Sequence, residues 1–473
     1  MDFDVVVAGG NVVVGNAEPV VADIGIAQGT IRSIGEGLSG GEVIDARGKL
    51  VVPGAVDAHY HLGIYRSIGE DADSETLSSL AGGVTSVVSY FRTGAHYLNK
   101  SGPYGEVFPE VLEATAGHAR TDFAYHLAPM DRAQVREIPD LVRRFGIRSF
   151  KYYMFYKGID LAGVGDANAY RMSDTYDLGH LFEIMEAIAA VQQELPADDR
   201  VSLSIHAEQP ELIRVFMERV RAAAELTGLE AYSAGRPPLT ERMAIGEAGV
   251  LAEATACPIQ FLHLSSAVAV DSAIEFRRAH RELDVRLEVT LHHLALSYET
   301  YSDQRGKVNP PIRSEADREV LWDRLVAGEV DWVCSDHACC SEEKKEGDMW
   351  AALPGFGGSA LLYPYLLTEG PRRGLSIPRV VAVASTNPAR AFGLAPAKGS
   401  ITIGADADLA IIDMETTHAV TTERLLSAQD FTPFEGMELT GWPVMTLLRG
   451  QVVLRDGEAV GGPSGAYLRP TAA

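Results

Sequence analysis

Val51-Val52-Pro53-Gly54-Ala55-Val56-Asp57-Ala58-His59-Tyr60-His61 is the stretch whose reading decides the fold. An apolar run leads into two histidines two residues apart. Side chains on a β-strand repeat with a period of two, so both imidazoles point to the same side. If the strand lines a barrel, both rings project from its C-terminal end toward one point. Two neutral imidazoles converging there make half of a metal site. The rest of the chain must then supply the missing ligands.

Working outward, β-like segments recur near residues 51–61, 83–91, 121–129, 147–155, 201–208, 258–265, 285–294 and 331–338. Helix-compatible stretches separate them, such as 211–227 and 314–327. Strands alternating with helices imply a parallel sheet. Eight such units over roughly 330 residues fit an α/β fold of the (β/α)8 TIM-barrel type, with a doubly wound sheet as the alternative. The two ends of the chain look different. Residues 2–50 and 400–460 carry short β-like runs, such as Asp4-Val5-Val6-Val7-Ala8 and Ala407-Asp408-Leu409-Ala410-Ile411-Ile412-Asp413, punctuated by turn residues such as Gly9-Gly10 and Gly29. Neither piece can bury a core alone. Together they predict one small β-sandwich built from both ends. The expected division is 1–52 and 397–460 for the sandwich, 53–396 for the barrel, and 461–473 for a tail over the surface or across a subunit contact.

Composition narrows the class. The 473 residues are 46% hydrophobic and 22% charged, as in an ordinary soluble globular protein. No apolar run reaches the roughly 18 residues of a membrane span. Met1-Asp2-Phe3-Asp4 begins acidic, without the basic and apolar regions of a secretory signal, so a cytoplasmic location is expected. Cys257, Cys334, Cys339 and Cys340 form no CxxC pair and are expected to be reduced thiols. A net charge of -24 argues against a nucleic-acid surface and an anionic membrane partner.

The active site of such a barrel sits at the C-terminal ends of its strands. The first strand end offers His59 and His61, the fourth Lys151, the fifth His206, the sixth His263 and the eighth Asp336. Taken singly, each has a bland reading. A lone strand histidine is usually a satisfied core or rim residue. A lone lysine snorkels to water, and a lone aspartate caps the following segment. Six metal-competent residues on five strand ends of one barrel outweigh those readings. Lys151 is the odd member, because an ammonium repels cations. Once CO2 has added to the neutral amine, the carbamate is an anionic ligand able to bridge two ions. His59, His61 and Asp336 would then hold one ion, and His206 and His263 the other, about 3.5–4 Å apart.

With these residues in place, the chain resembles the amidohydrolase superfamily, in its cyclic-amidohydrolase branch of hydantoinases, dihydropyrimidinases, allantoinases and dihydroorotases. The matching motifs are residues 52–61, Ser149-Phe150-Lys151, His206-Ala207-Glu208, Ser335-Asp336-His337 and Ser385-Thr386-Asn387-Pro388-Ala389. Further matches are Lys398-Gly399-Ser400-Ile401, Gly404-Ala405-Asp406-Ala407-Asp408-Leu409, Phe434-Glu435-Gly436 and Arg449-Gly450. The resemblance implies a carboxylated Lys151, two divalent ions (zinc, with manganese as the other option) and a homotetramer or homodimer. It implies hydrolysis of a small-molecule cyclic amide, a ureide or imide, by a metal-bridging hydroxide. Asp336 would serve as base and then acid, and Tyr156 as donor to the developing oxyanion.

The same resemblance places backbone contacts to substrate near Leu291-His292-His293 and in Gly355-Phe356-Gly357-Gly358. Asn309 either touches substrate or starts the turn before Pro310. Dihydroorotases carry an arginine two residues after the second histidine, where this chain has Gly63. Arg66 is the nearby candidate for gripping an anion, with a solvated rim arginine as the alternative. The loop Tyr90–Lys100, with two positive charges and three aromatics, either seats an aromatic or acidic substituent or simply covers the barrel. His337 faces the other side of its strand from Asp336 and is expected to be structural. Rival readings are an allantoinase or dihydroorotase-like hydrolase, a mononuclear deaminase of the same superfamily, and a non-catalytic scaffold, against which the six filled ligand positions argue.

Overall fold

The structure is a computed structural model that describes residues 3–156, 176–196 and 199–469. The eight expected strands are all present and pair in sequence order: Ala55–Tyr60, Val84–Arg92, Asp122–Ala128, Ser149–Tyr153, Ser202–His206, Ile259–Phe261, Val285–Thr290 and Trp332–Cys334. Every described neighbour pair is parallel. Apart from Arg286 the strand residues are all buried, because helices cover the outside of the sheet.

The first and eighth strands meet, which excludes the doubly wound sheet. Asp57 inside the first strand accepts hydrogen bonds from the Ser335 amide at 3.1 Å and hydroxyl at 2.5 Å. The His61 amide donates to the His337 carbonyl at 2.9 Å. The Tyr60 and His337 rings stack at 4.6 Å. His337 also accepts from the amides of Gly358 and Ser359 and lies 2.9 Å from Glu75, so its role is structural, as expected. Glu75 sits on helix Ile68–Ala81, whose start is fixed by a capping box between Ser67 and Glu70.

Both chain ends build one further sheet of nine strands, from Phe3–Val12 through Glu458–Ala459. The join is direct: Leu50–Pro53 pairs antiparallel with Leu409–Asp413, Val52 opposite Ala410. Its core is separate from that of the barrel and includes Val7, Ile24, Ile31, Val51, Leu409 and Leu447. One sequence expectation changes here. Gly9-Gly10 is not a turn between two strands but lies within Phe3–Val12, where the register shifts between Val7 and Gly10. Gly9 has φ +68°, and a bulge of this kind accepts glycine at a positive φ.

A buried ionic knot holds this sheet to the barrel. Lys398 Nζ lies 2.6 Å from Asp122, at the start of the third barrel strand, 2.7 Å from Asp408 and 2.9 Å from Asp406. Arg449 pairs with the same Asp122. Burial opposes the Lys398 charge, but the three carboxylates outweigh it and raise its pKa. The motifs around residues 398, 404–409 and 449 are therefore structural. The described part of the tail crosses its own barrel: the Phe123 amide donates to the Ala466 carbonyl at 3.0 Å and the Leu468 amide to the Phe123 carbonyl at 2.7 Å. No described helix is long and apolar enough to cross a membrane. The Lys398 side chain is 1% exposed, and Lys398→Met leaves buried Asp408 with no cationic side chain and Asp122 with Arg449 alone. The expected loss is about 3–5 kcal/mol in a denaturant titration, and a loss under about 1 kcal/mol would show that the knot does not hold the parts together.

Candidate active site

Five strand ends bring the candidate ligands to one cavity at the C-terminal rim. His59 is the next-to-last residue of the first strand, and His61 stands one residue beyond its end. His206 closes the fifth strand. Lys151 is the middle residue of the fourth strand, deeper in the barrel than a strand end. His263 and Asp336 each lie two residues past their short strands, at φ +35° and +52°. Such angles are unfavourable for residues with a Cβ and persist only where the surroundings hold them. All six side chains line the cavity, together with Tyr156 and Asn309.

The geometry is that of a cation site. Nε2 of His59 and of His61 lie 3.1 and 3.2 Å from the same Asp336 oxygen. One nitrogen from each ring and a carboxylate oxygen fall within 4.8 Å of one another. The His206 and His263 rings pack edge to face at 4.2 Å, and the His59 ring is 5.3 Å from His263. Burial brings the pKa of His61 and of His206 down to about 4 and that of His263 lower still. These imidazoles are neutral, the form that binds a metal. Burial pushes Asp336 up, but His59 and His61 bring it well below the usual range, so it is a carboxylate. Nδ1 of His263 is buried with no hydrogen-bond partner, a lone pair that a cation would satisfy.

Lys151 is 1% exposed, and its Nζ lies over the rings of Tyr90 and Tyr153 at 4.2 and 4.8 Å. Among the described residues it has no ion pair. Burial brings its amine down to about 7, so a nucleophilic neutral fraction is present near neutrality. Such an amine is suited to taking up CO2, and the carbamate would replace an unpaired buried cation by an anion among cation-binding rings.

The sequence of the amidohydrolase family, as a profile, matches residues 50–453. The chain belongs to the amidohydrolase family. Similar proteins of this family include an allantoinase of Rubrobacter xylanophilus, 35% identical over 99% of this chain and 98% of its own. A D-hydantoinase of Geobacillus stearothermophilus is 31% identical over 95% and 93%. The crystal structure of a dihydropyrimidinase from Brevibacillus agri superposes with a TM-score of 0.85 at 26% identity, covering 99% of this chain and 98% of that one. The resemblance expected from the motifs is borne out.

Not every sequence candidate reaches the cavity of this amidohydrolase. Arg66 does not. Its guanidinium is held by Asp71 at 3.2 Å and Ser74 at 2.9 Å, with Glu75 at 3.6 Å and Cys339 at 4.0 Å. Asp71, Glu75 and Cys339 form a second cluster of metal-ligating types, and Arg66 already supplies the positive charge there. Asn309 does line the cavity, and its Oδ1 accepts from the Tyr232 hydroxyl at 2.6 Å. His292 and His293 turn toward Thr290 at 2.9 and 2.7 Å and stay outside the ligand cluster.

Sequence reasoning missed the residues behind the ligands. Glu288, from the seventh strand, lies 2.6 Å from His59 Nδ1 and accepts from the His263 amide at 3.1 Å and the Trp332 indole at 2.9 Å. It fixes His59 with its proton on Nδ1 and Nε2 facing the site. Glu208 holds His206 by the other nitrogen, Nε2, at 2.8 Å, which leaves Nδ1 as the ligating atom, and is itself paired with buried Arg236. A lone glutamate inside a strand that must be buried was the available signal for Glu288. Glu288→Gln keeps the shape and removes the charge. Bound metal is expected to leave about 10–100-fold faster in chelator competition, and unchanged retention would remove Glu288 from any role in holding the ligands.

Proposed function

We propose that this amidohydrolase opens a cyclic amide, a hydantoin- or dihydropyrimidine-type ureide or imide, by hydrolysing a ring C–N bond. The observation that carries the reading is the convergence of four imidazoles, a carboxylate and a buried amine on one cavity. Hydantoinases, dihydropyrimidinases and an allantoinase among the relatives support the substrate class. In this reading His59, His61 and Asp336 would hold one divalent ion and His206 and His263 the other, with carboxylated Lys151 as a ligand they would share. Bound there, the ions supply Lewis acidity to a carbonyl and bring the pKa of a water toward neutrality. Zinc as the metal and an assembly of two or four copies belong to the same reading and rest on the family resemblance.

The chain's own groups then have defined tasks. Asp336 accepts the proton of the attacking water on a carboxylate oxygen as the new C–O bond forms. The carbonyl π electrons move onto oxygen, where the Tyr156 hydroxyl donates a hydrogen bond to the developing charge. As the C–O double bond re-forms and the C–N bond breaks, Asp336 delivers its proton to the departing nitrogen. The products are a carboxylate and a ureido or amide nitrogen.

The dihydroorotase reading finds no support at position 63. Gly63 has φ +87°, and a Cβ there would stand 2.4 Å from Ile68 Cγ1. An arginine therefore has no room at that position, and the neighbouring Arg66 is occupied by Asp71. The test is ring opening of hydantoin, dihydrouracil, allantoin and dihydroorotate by zinc-loaded protein prepared with bicarbonate. Turnover of one of the first three is expected. Lys151→Ala should abolish it, and Asp336→Asn should lower kcat by about 10²–10⁴. Undiminished turnover in Lys151→Ala, or none in the wild type on any ring, would sink the reading.

A further inference from the structure

Arg92 ends the second barrel strand and is 4% exposed. Its guanidinium is charged at any pH the protein meets. Its described partners are backbone carbonyls, aromatic rings and the Tyr156 hydroxyl, which accepts a hydrogen bond from the guanidinium, rather than carboxylates. Nη1 donates to the carbonyls of Ala95 at 2.9 Å and Thr93 at 3.3 Å. Cζ lies 5.4 Å from the ring centre of Tyr156 and 5.8 Å from that of Tyr97. A desolvated guanidinium within about 6 Å of a ring centre attracts that ring, so one cation here holds two rings.

Both rings lead to the site. Tyr156 lines the cavity and stacks on Tyr153 at 4.5 Å. The Tyr97 hydroxyl lies 3.1 Å from His61 Nδ1. Because Nε2 of His61 faces Asp336 at 3.2 Å, a ligating His61 must carry its proton on Nδ1 and donate it to the Tyr97 oxygen. The loop that presents Tyr97 is itself strained. His96, Tyr97 and Asn99 have φ of +68°, +54° and +50°. Strain of this kind costs about 1 kcal/mol or more per residue and persists only where other contacts impose it. The Arg92 bonds to the Thr93 and Ala95 carbonyls grip the start of this loop, and the Tyr97 amide donates to the Gly63 carbonyl at 2.9 Å.

We propose that Arg92 is a positioning residue for the active site, a single buried guanidinium that clamps the rings of Tyr156 and Tyr97 and so aims one hydroxyl at the substrate and the other at His61. The Tyr156 arm rests on the hydrolase reading given above. The Tyr97 arm concerns only how firmly His61 is held. Lysine at position 92 keeps the charge but lacks the planar fork that reaches both the loop carbonyls and the rings.

The test uses the full-length, zinc-loaded protein with Arg92→Met, Arg92→Lys, Tyr97→Phe, Tyr156→Phe and the double variant Arg92→Met/Tyr156→Phe. Zinc release to a chelator is read first, without substrate. Arg92→Met and Tyr97→Phe should release zinc about 10–100-fold faster than wild type, and Tyr156→Phe should not. Kinetics on the best ring substrate come second. Arg92→Met and Tyr156→Phe should each lower kcat by about 10²–10³ with a much smaller change in KM, and Arg92→Lys should recover part of both losses. In the double variant kcat should fall by clearly less than the product of the two single factors, because only the Tyr97 arm of Arg92 remains to be lost once the Tyr156 hydroxyl is gone. Wild-type zinc retention and kcat in Arg92→Met would overturn the proposal, as would a double variant that loses the product of the single factors. If Arg92→Met does not fold, Tyr97→Phe still decides: zinc held as in wild type overturns the clamp on His61. Faster zinc release in Arg92→Met and Tyr97→Phe, with no ring opened by the wild type, would sink the hydrolase reading and leave the clamp standing.

Discussion

The cavity depends on how the eighth strand returns to the first. Trp332–Cys334 is only three residues long, and its ladder with Ala55–Tyr60 is reduced to the bridge between Tyr60 and His337. Side chains make up for the missing ladder. Asp57 binds the Ser335 amide and hydroxyl, and His337 is caught between the Tyr60 ring and Glu75. Asp336 lies between these two anchored residues, in a left-handed backbone conformation that neither alone would impose. That is why its carboxylate arrives at the same point as the imidazoles of His59 and His61. The closure and the site are one arrangement, since loosening Ser335 or His337 would free the residue between them.

Charge at the rim follows from burial. Three imidazoles are held neutral by desolvation, and the Lys151 amine is brought near neutrality by the same cause. The anions present each have assigned work. Asp336 faces the ligands, while Glu288 and Glu208 sit behind them and fix which ring nitrogen carries the proton. A cluster of lone pairs in a low-dielectric pocket is costly without a cation to share. The fit to divalent ions therefore rests on the donor set itself and on the unpartnered Nδ1 of His263.

Much of this was legible in the sequence, for identifiable reasons. The barrel strands are apolar runs separated by helix-compatible stretches, and the ligands are residue types with few other uses when grouped at strand ends. The two-residue period placed His59 and His61 together even though His61 lies beyond the last strand residue. What stayed hidden depends on tertiary contact. Glu288 is one glutamate among many until the barrel brings strand seven beside His59 and Trp332. Arg66 read as a free rim cation because the helix that carries Asp71 folds back onto it only in three dimensions. Gly9-Gly10 read as a turn because a bulge and a turn ask the same of glycine, a positive φ. Tyr97 was one of the three aromatics noted in the Tyr90–Lys100 loop, but its contact with His61 stayed hidden, since nothing in Ala95-His96-Tyr97-Leu98-Asn99 announces non-glycine residues at positive φ.

These hidden residues bear on specificity. The ligand cluster is set by strand ends and fixed by contacts beneath them, so it is poorly placed to tell one ring from another. The substrate side of the cavity is built differently. Tyr156 follows the fourth strand in a single turn of 3₁₀ helix, Asn309 sits in the segment after the seventh, and Pro354 and Gly355 in the segment after the eighth. Loops of this kind change without disturbing the barrel, which is how one scaffold carries several chemistries. Position 63 shows the limit of that freedom. It lies on a loop, yet its backbone angle and the Ile68 side chain bar any larger residue, and its carbonyl is already taken by Tyr97. Selection among rings therefore acts through the segments after strands four, seven and eight and through Ile64 and Tyr65 after strand one, which also line the cavity, while Gly63 and Tyr97 are committed to holding His61.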